Sequence, residues 1–176
     1  MNLSSFVHAL AKWLAIAGGV VLVAITVMTT FSIVGRALSW AGLGPVPGDF
    51  ELVEAGTGFA VFAFLPWCQL NRGHATVDLF TNYLSPGANR VLDLLWEIVL
   101  GLITILIAWR LWVGMLEKRS YGETTLLLQF PIWWGMALCA AATVIGVVVA
   151  IYMIAIRSME VAQGRSLLGQ SSGAIH

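Results

Sequence analysis

Hydrophobic positions along this chain gather into four long blocks separated by short polar punctuation. Trp13–Gly35 contains no charged residue. At 1.5 Å per residue a helix of that length spans roughly 35 Å, enough to cross the hydrocarbon core of a bilayer. The apolar region of a signal peptide is shorter, so the cleavage-like Ala37-Leu38-Ser39 does not outweigh the reading of a retained helix. Ala55–Asn71 is also uncharged, at the short end of the range for a crossing. A third block, about Asp93 to Leu116, is interrupted by Glu97 and Arg110, and a fourth lies within the uncharged stretch Thr124–Ile156. In lipid every backbone amide and carbonyl must be satisfied internally, so each block is predicted to be helical. The pattern predicts an all-α membrane protein with four transmembrane helices in a single membrane domain over residues 1–176. The crossings fall at about 13–35, 52–71, 91–116 and 131–156.

Turn residues support these limits. Pro45, Pro47 and Gly48 interrupt the chain before the second helix. Asp49 is then the expected N-cap, with Glu51 in the first turn, where the helix dipole favours an acid. Ser85-Pro86 reads as an N-cap followed by proline at the first helical position. Gly122 marks the turn after the third helix, and Pro131 opens the fourth. Pro66 falls inside the second helix and is expected to kink it, because it removes one amide donor.

Two shorter segments carry an amphipathic pattern expected to lie in the membrane interface. In His74–Leu84, Val77, Phe80, Tyr83 and Leu84 share one helical face, opposite Asp78, Thr81 and Asn82. Near the start, Phe6, Leu10, Trp13 and Leu14 form a similar stripe against Ser5, His8 and Lys12. Residues 166–176, rich in glycine and serine, read as a disordered tail.

Composition sharpens this picture. Hydrophobic residues make up 59% of the 176 and charged residues 10%, with zero formal net charge. That is far below the roughly one quarter charged residues of a soluble domain, and no basic surface suggests nucleic acid. The mean hydropathy is +0.89. Tryptophan and tyrosine concentrate at membrane–water interfaces, and here Trp13, Trp40, Trp67, Trp96, Trp109, Trp112, Trp133, Trp134 and Tyr152 fall near block ends. Basic residues are divided almost evenly between the two sides of a four-helix topology, so charge alone does not orient it, although an even number of crossings puts both termini on one side. Cys68 and Cys139 lie in apolar runs at different depths, which predicts neither a metal site nor a disulfide. No histidine falls within a crossing, so haem ligation is not expected. No nucleophile–base pair stands out, and the chain is read as no enzyme and without a cofactor.

Charges in or near spans are functional candidates. Glu97 and Arg110 lie roughly 20 Å apart along one helix and cannot pair with each other. Each is expected near an opposite headgroup layer or against a neighbouring helix. Asp93 and Glu97 share a face, with Arg90 or another subunit as the expected compensation. Ala142, Gly146 and Ala150, and Ala15 with Gly19, have the spacing that lets helices approach closely. Polar groups at the bilayer midplane, broken helices and inverted repeats are not evident, which argues against a solute path inside the chain.

Taken together, these residues resemble the small membrane subunit of TRAP (tripartite ATP-independent periplasmic) transporters, the DctQ type. The likeness runs from about residue 8 to 160. It rests on Gly35-Arg36 at the end of the first helix and on Glu51 and Glu54 at the second. Further matches are Arg72, Gly73, His74, Val77 and Asp78 after the second helix, and Leu128, Gln129, Phe130, Pro131, Ile132 and Trp133 before the fourth. The resemblance implies a large membrane transport subunit as partner, and a periplasmic substrate-binding protein that delivers an organic acid, usually a carboxylate. It also implies uptake driven by an ion gradient, commonly sodium, without ATP. The location it implies is the bacterial inner membrane, multi-pass, with both termini in the cytoplasm.

On that footing Gly35, Arg36, Arg72, Gly73, His74, Asp78, Gln129 and Pro131 are candidate family-motif or subunit-interface residues. Asp49, Glu51, Glu54, Lys118, Arg119 and Glu123 are candidates for docking the binding protein, since surface charges steer encounters. A scaffold for the large subunit is the leading expectation. The alternative is a membrane-anchor subunit of an oxidoreductase complex.

Overall fold

The computed structural model describes residues 3–71 and 86–163. The motif residues Arg72, Gly73, His74 and Asp78, the interfacial segment 74–84, Ser85 and the tail 166–176 lie outside the described residues. Four α-helices account for nearly all of the rest: α1 (Leu3–Ala37), α2 (Asp49–Leu70), α3 (Pro86–Tyr121) and α4 (Ile132–Gln163), with one 3-10 turn at Ser39–Ala41. All four are long and apolar enough to cross a membrane, and the protein is an all-α membrane protein.

The helices overrun their apolar blocks. α1 already begins at Leu3, since no glycine or proline stands before Gly18 to end it. The Phe6–Leu14 stripe is therefore part of the first long rod rather than a separate interfacial helix. Two of its large residues face outward: Phe6 and Trp13 are exposed, Leu10 and Leu14 are half-buried, and Val7 and Ala11 beside them are buried. α2 begins at Asp49, but its cap differs from the expectation. Gly48 is the N-cap, in the left-handed region at φ +73°, and the Asp49 carboxylate is engaged elsewhere. α2 continues through the buried Pro66 as one helix to Leu70. α3 starts at Pro86 and α4 directly after Pro131.

In space the helices form a layer in the order α1, α2, α4, α3. α1 packs on α2, α2 on α4, and α3 on α4, whereas α1 and α3 have no substantial contact. α4 is the keystone: 44% of its most apolar window is buried, against 6% for α1 and 11% for α3. Apolar side chains gain little by leaving lipid for one another, so close packing of small residues has to hold the layer together. At the α1–α2 crossing, a Cβ built on Gly18 would come within 2.9 Å of the Ala63 Cβ and 3.5 Å of the Ala60 backbone. At the centre, a Cβ on Gly146 would touch Thr104 of α3 at 3.5 Å and Pro66 of α2 at 3.7 Å. Ala142 and Ala150 are buried on the same face of α4. The spacing reading of α4 thus corresponds to internal packing. That of α1 misses by one residue, because Gly19 meets nothing and Gly18 is the contact.

Candidate functional site

Polar side chains collect at the two ends of this layer. The first end joins the C-terminus of α1, the N-terminus of α2 and the α3–α4 connection. Ser32, fully buried near the end of α1, donates its hydroxyl proton to Asp49 Oδ2 at 2.5 Å and accepts the Val46 amide at 3.2 Å. Asp49 Oδ1 accepts the Phe50 amide at 2.9 Å, and Arg36 stands 3.6 Å from Asp49. Arg36 is largely exposed, so that ion pair adds little stability. A side chain at Gly35 would run into the Gly44 carbonyl. The Gly35-Arg36 pair therefore folds the α1–α2 connection back against α1: the glycine leaves room, and the arginine meets the first residue of α2.

Glu51 provides the second clasp. Its two carboxylate oxygens accept the amides of Leu127 at 2.6 Å and Leu128 at 3.0 Å, which ties the start of α2 to a loop far along the chain. A side chain at Gly48 would collide with Leu128, so the glycine serves both the left-handed cap and the loop seat. The loop is further braced from within. Thr124 and Pro131 form an isolated antiparallel bridge, and the Thr125 amide donates to the Phe130 carbonyl at 2.8 Å. Gln129 adopts φ +54°, and its side-chain amide donates to the Leu126 carbonyl at 3.0 Å. The motif residues Gln129 and Pro131 are thereby loop-shaping residues. Lys118 donates to Glu123 at 2.6 Å, and the Arg119 guanidinium lies 5.3 Å from the centre of the Trp133 ring.

Of the six candidate docking charges, then, Asp49 and Glu51 are spent within the protein and Lys118 pairs with Glu123. Glu54 and Arg119 are exposed and have no ion-pair partner among the described residues. Replacing Glu51 with alanine leaves two loop amides without their acceptor. Exchange of the Leu127 and Leu128 amides should rise roughly tenfold, by local opening rather than global unfolding. Hydrogen exchange read by mass spectrometry checks this, and unchanged protection of the loop would show that the clasp does not hold it.

The opposite end carries charge inside the protein. Gln69 of α2 donates to Glu97 of α3 at 2.9 Å, both buried. Arg157 of α4 reaches Asp93 of α3 at 3.2 Å and Glu160 at 2.8 Å. The compensation for Asp93 thus comes from Arg157 and not from Arg90, because α3 packs on α4. Arg110 is exposed on α3 and has no ion pair among the described residues. Beside Gln69 and Arg157, Val7, Ala11, Leu70, Val149 and Met153 form an apolar cluster with Trp67 and Tyr152 against it.

Sequence reading missed Ser32, Gln69, Arg157 and Glu160. For the last two a signal existed: an arginine and a glutamate at i, i+3 spacing on an apolar helix. Ser32 and Gln69 gave none, since a lone hydroxyl or amide in an apolar run is unremarkable until its partner is located.

Between the two ends the interior is filled by Gly18, Ala60, Ala63, Ala142, Thr143, Gly146 and Ala150. Thr143 turns its hydroxyl back to the Ala140 carbonyl of its own helix at 2.8 Å. Such an arrangement can brace helices against one another. Comparison with known proteins gives one result. Residues 25–160 match the family model for tripartite ATP-independent periplasmic transporters, DctQ component. No curated protein and no solved structure matches the chain.

Proposed function

Because the chain belongs to the DctQ component family of tripartite ATP-independent periplasmic transporters, we propose that it braces the large transport subunit in the inner membrane and moves no solute itself. A transporter that works by displacing one part against another needs a part that stays still. The carrying observation is the interior: small residues packed to contact at the centre, and polar side chains consumed in fixed pairs at both ends. A substrate path would call for the reverse, with polar groups facing a cavity near the midplane. The membrane-anchor reading gains nothing from the family match.

In this reading both termini lie in the cytoplasm, so the Ser32–Asp49 and Glu51–Leu127 clasps face the periplasm beside the binding protein. Uptake is of an organic acid, coupled to an ion gradient. The test is co-expression with the large subunit of the same transporter, followed by affinity purification and mass identification. Stable co-purification at fixed stoichiometry is expected. Solute uptake by this chain alone in vesicles would overturn the proposal.

The docking role is tested more sharply at Glu54 than at Glu51. Glu54 is exposed on the first turns of α2, and its charge can be reversed without releasing the loop. With Glu54→Lys, uptake at limiting binding protein should fall several-fold while uptake at saturating binding protein stays unchanged, as a weakened electrostatic encounter predicts. Equal uptake at limiting binding protein would remove Glu54 from the docking surface.

A further inference from the structure

The α3–α4 loop combines two properties that water does not favour together. Its three leucines are turned outward, with Leu126 at 85% and Leu127 at 64% exposure. No residue from Thr124 to Ile156 is charged. Yet five backbone donors here are turned inward. The amides of Thr125, Leu127, Leu128, Phe130 and Ile132 all donate to acceptors within the protein. A loop in water needs no such internal satisfaction, because water supplies acceptors. A loop at the edge of hydrocarbon does need it.

The surroundings agree. Trp40 and Tyr121 at the same end are strongly exposed, as amphipathic rings at headgroup depth are, and so is the apolar Phe50. From the loop an open apolar groove, lined by Phe130, Trp133, Trp134, Ala137 and Leu138, continues onto the exposed flank of α4. At the level of its Trp133 wall stands the Arg119 guanidinium, over the Trp133 ring and without an ion pair among the described residues. Lys118, by contrast, is held by Glu123.

We propose that this corner is a phospholipid site: an acyl chain lies in the Phe130–Leu138 groove, the phosphate meets Arg119, and Leu126 and Leu127 sit at the headgroup–acyl boundary. Charge complementarity and continuity with the exposed apolar flank of α4 select this occupant over a soluble protein. A cation over an aromatic ring is already oriented and loses little freedom when an anion arrives. The Glu51 clasp holds the leucines in the depth at which they pack against the upper acyl segments.

Two measurements test the proposal on the full-length chain. In the first, a Leu126→Cys variant carrying a bimane label is reconstituted in vesicles of phosphatidylethanolamine and phosphatidylglycerol. Lipids brominated near the glycerol end of the acyl chain should quench the label, and aqueous iodide should not. Quenching by iodide would overturn the proposal. So would shielding from both quenchers in membranes that contain the whole transporter, since a protein would then cover the site. Should Leu126→Cys fail to fold, Leu127→Cys carries the same label one position on. In the second, native mass spectrometry measures phosphatidylglycerol retained by the purified chain. Arg119→Gln should lower retention roughly fivefold, the loss expected for one basic contact near a lipid surface. Ala137→Trp, which fills the groove, should abolish it. Retention equal to wild type in both variants would overturn the site.

Discussion

Arg157→Ala should be the most damaging single substitution in the chain, lowering stability by about 3–5 kcal/mol, as removal of one partner from a buried ion pair does. Arg157 is 6% exposed and Glu160 2%, so alanine takes the guanidinium away from a carboxylate that water barely reaches. Asp93 on α3 loses its partner as well, but it is 42% exposed and can rehydrate. The damage falls on α3 most of all, since α4 is its main neighbour. The thermal unfolding midpoint of the purified protein in detergent reads the effect, and an unchanged midpoint would sink it. Adding Glu160→Gln to Arg157→Met should recover most of the loss, because the buried ion pair is then replaced by two neutral side chains. Lysine at 157 should recover only part, because its compact ammonium is more strongly hydrated than a guanidinium and costs more to bury.

Gly146→Leu ranks next. Gly146 lies where α4 meets both α2 and α3, and the space beyond its Cα ends at Thr104 and Pro66. An alanine methyl would make ordinary contacts at 3.5 and 3.7 Å, so Gly146→Ala should be tolerated. A leucine must push three helices apart, at a cost of about 1–3 kcal/mol from overpacking and more if the backbones cannot follow. The pair of variants makes the test specific. A lower unfolding midpoint for leucine together with a wild-type midpoint for alanine supports the close approach. Equal midpoints would mean that the helices do not meet there.

The four helices were legible from sequence because lipid imposes one rule on every crossing, and the apolar blocks obey it. Their neighbours were not. Hydropathy says that a helix lies in the membrane but not which face meets which partner, and on α1 Phe6 and Trp13 of the conspicuous stripe point away from the protein. Small residues carried more information: Ala142, Gly146 and Ala150 did mark a packing face, and the error on α1 was one position. The clasped end was half legible. Gly35-Arg36 and Gln129–Pro131 stood out as motif residues, but their roles in shaping connections depend on Gly44 and Leu126, which no local pattern indicates. Glu51 looked like a free surface charge because its acceptor role involves backbone amides 76 and 77 residues away, and backbone donors carry no sequence signature.

The order of the layer bears on how the chain is built during synthesis. α4 emerges last, yet it stands between α2 and α3. Until it enters the bilayer, the α1–α2 hairpin and α3 have no common neighbour, and Arg157 has not arrived to meet Asp93. A nascent chain cut short before Ile132 would therefore hold a hairpin and a third helix tied to it by little beyond the Gln69–Glu97 hydrogen bond, not a smaller version of the finished plank. Cohesion comes with the final crossing, and the membrane must keep the earlier three in readiness for it.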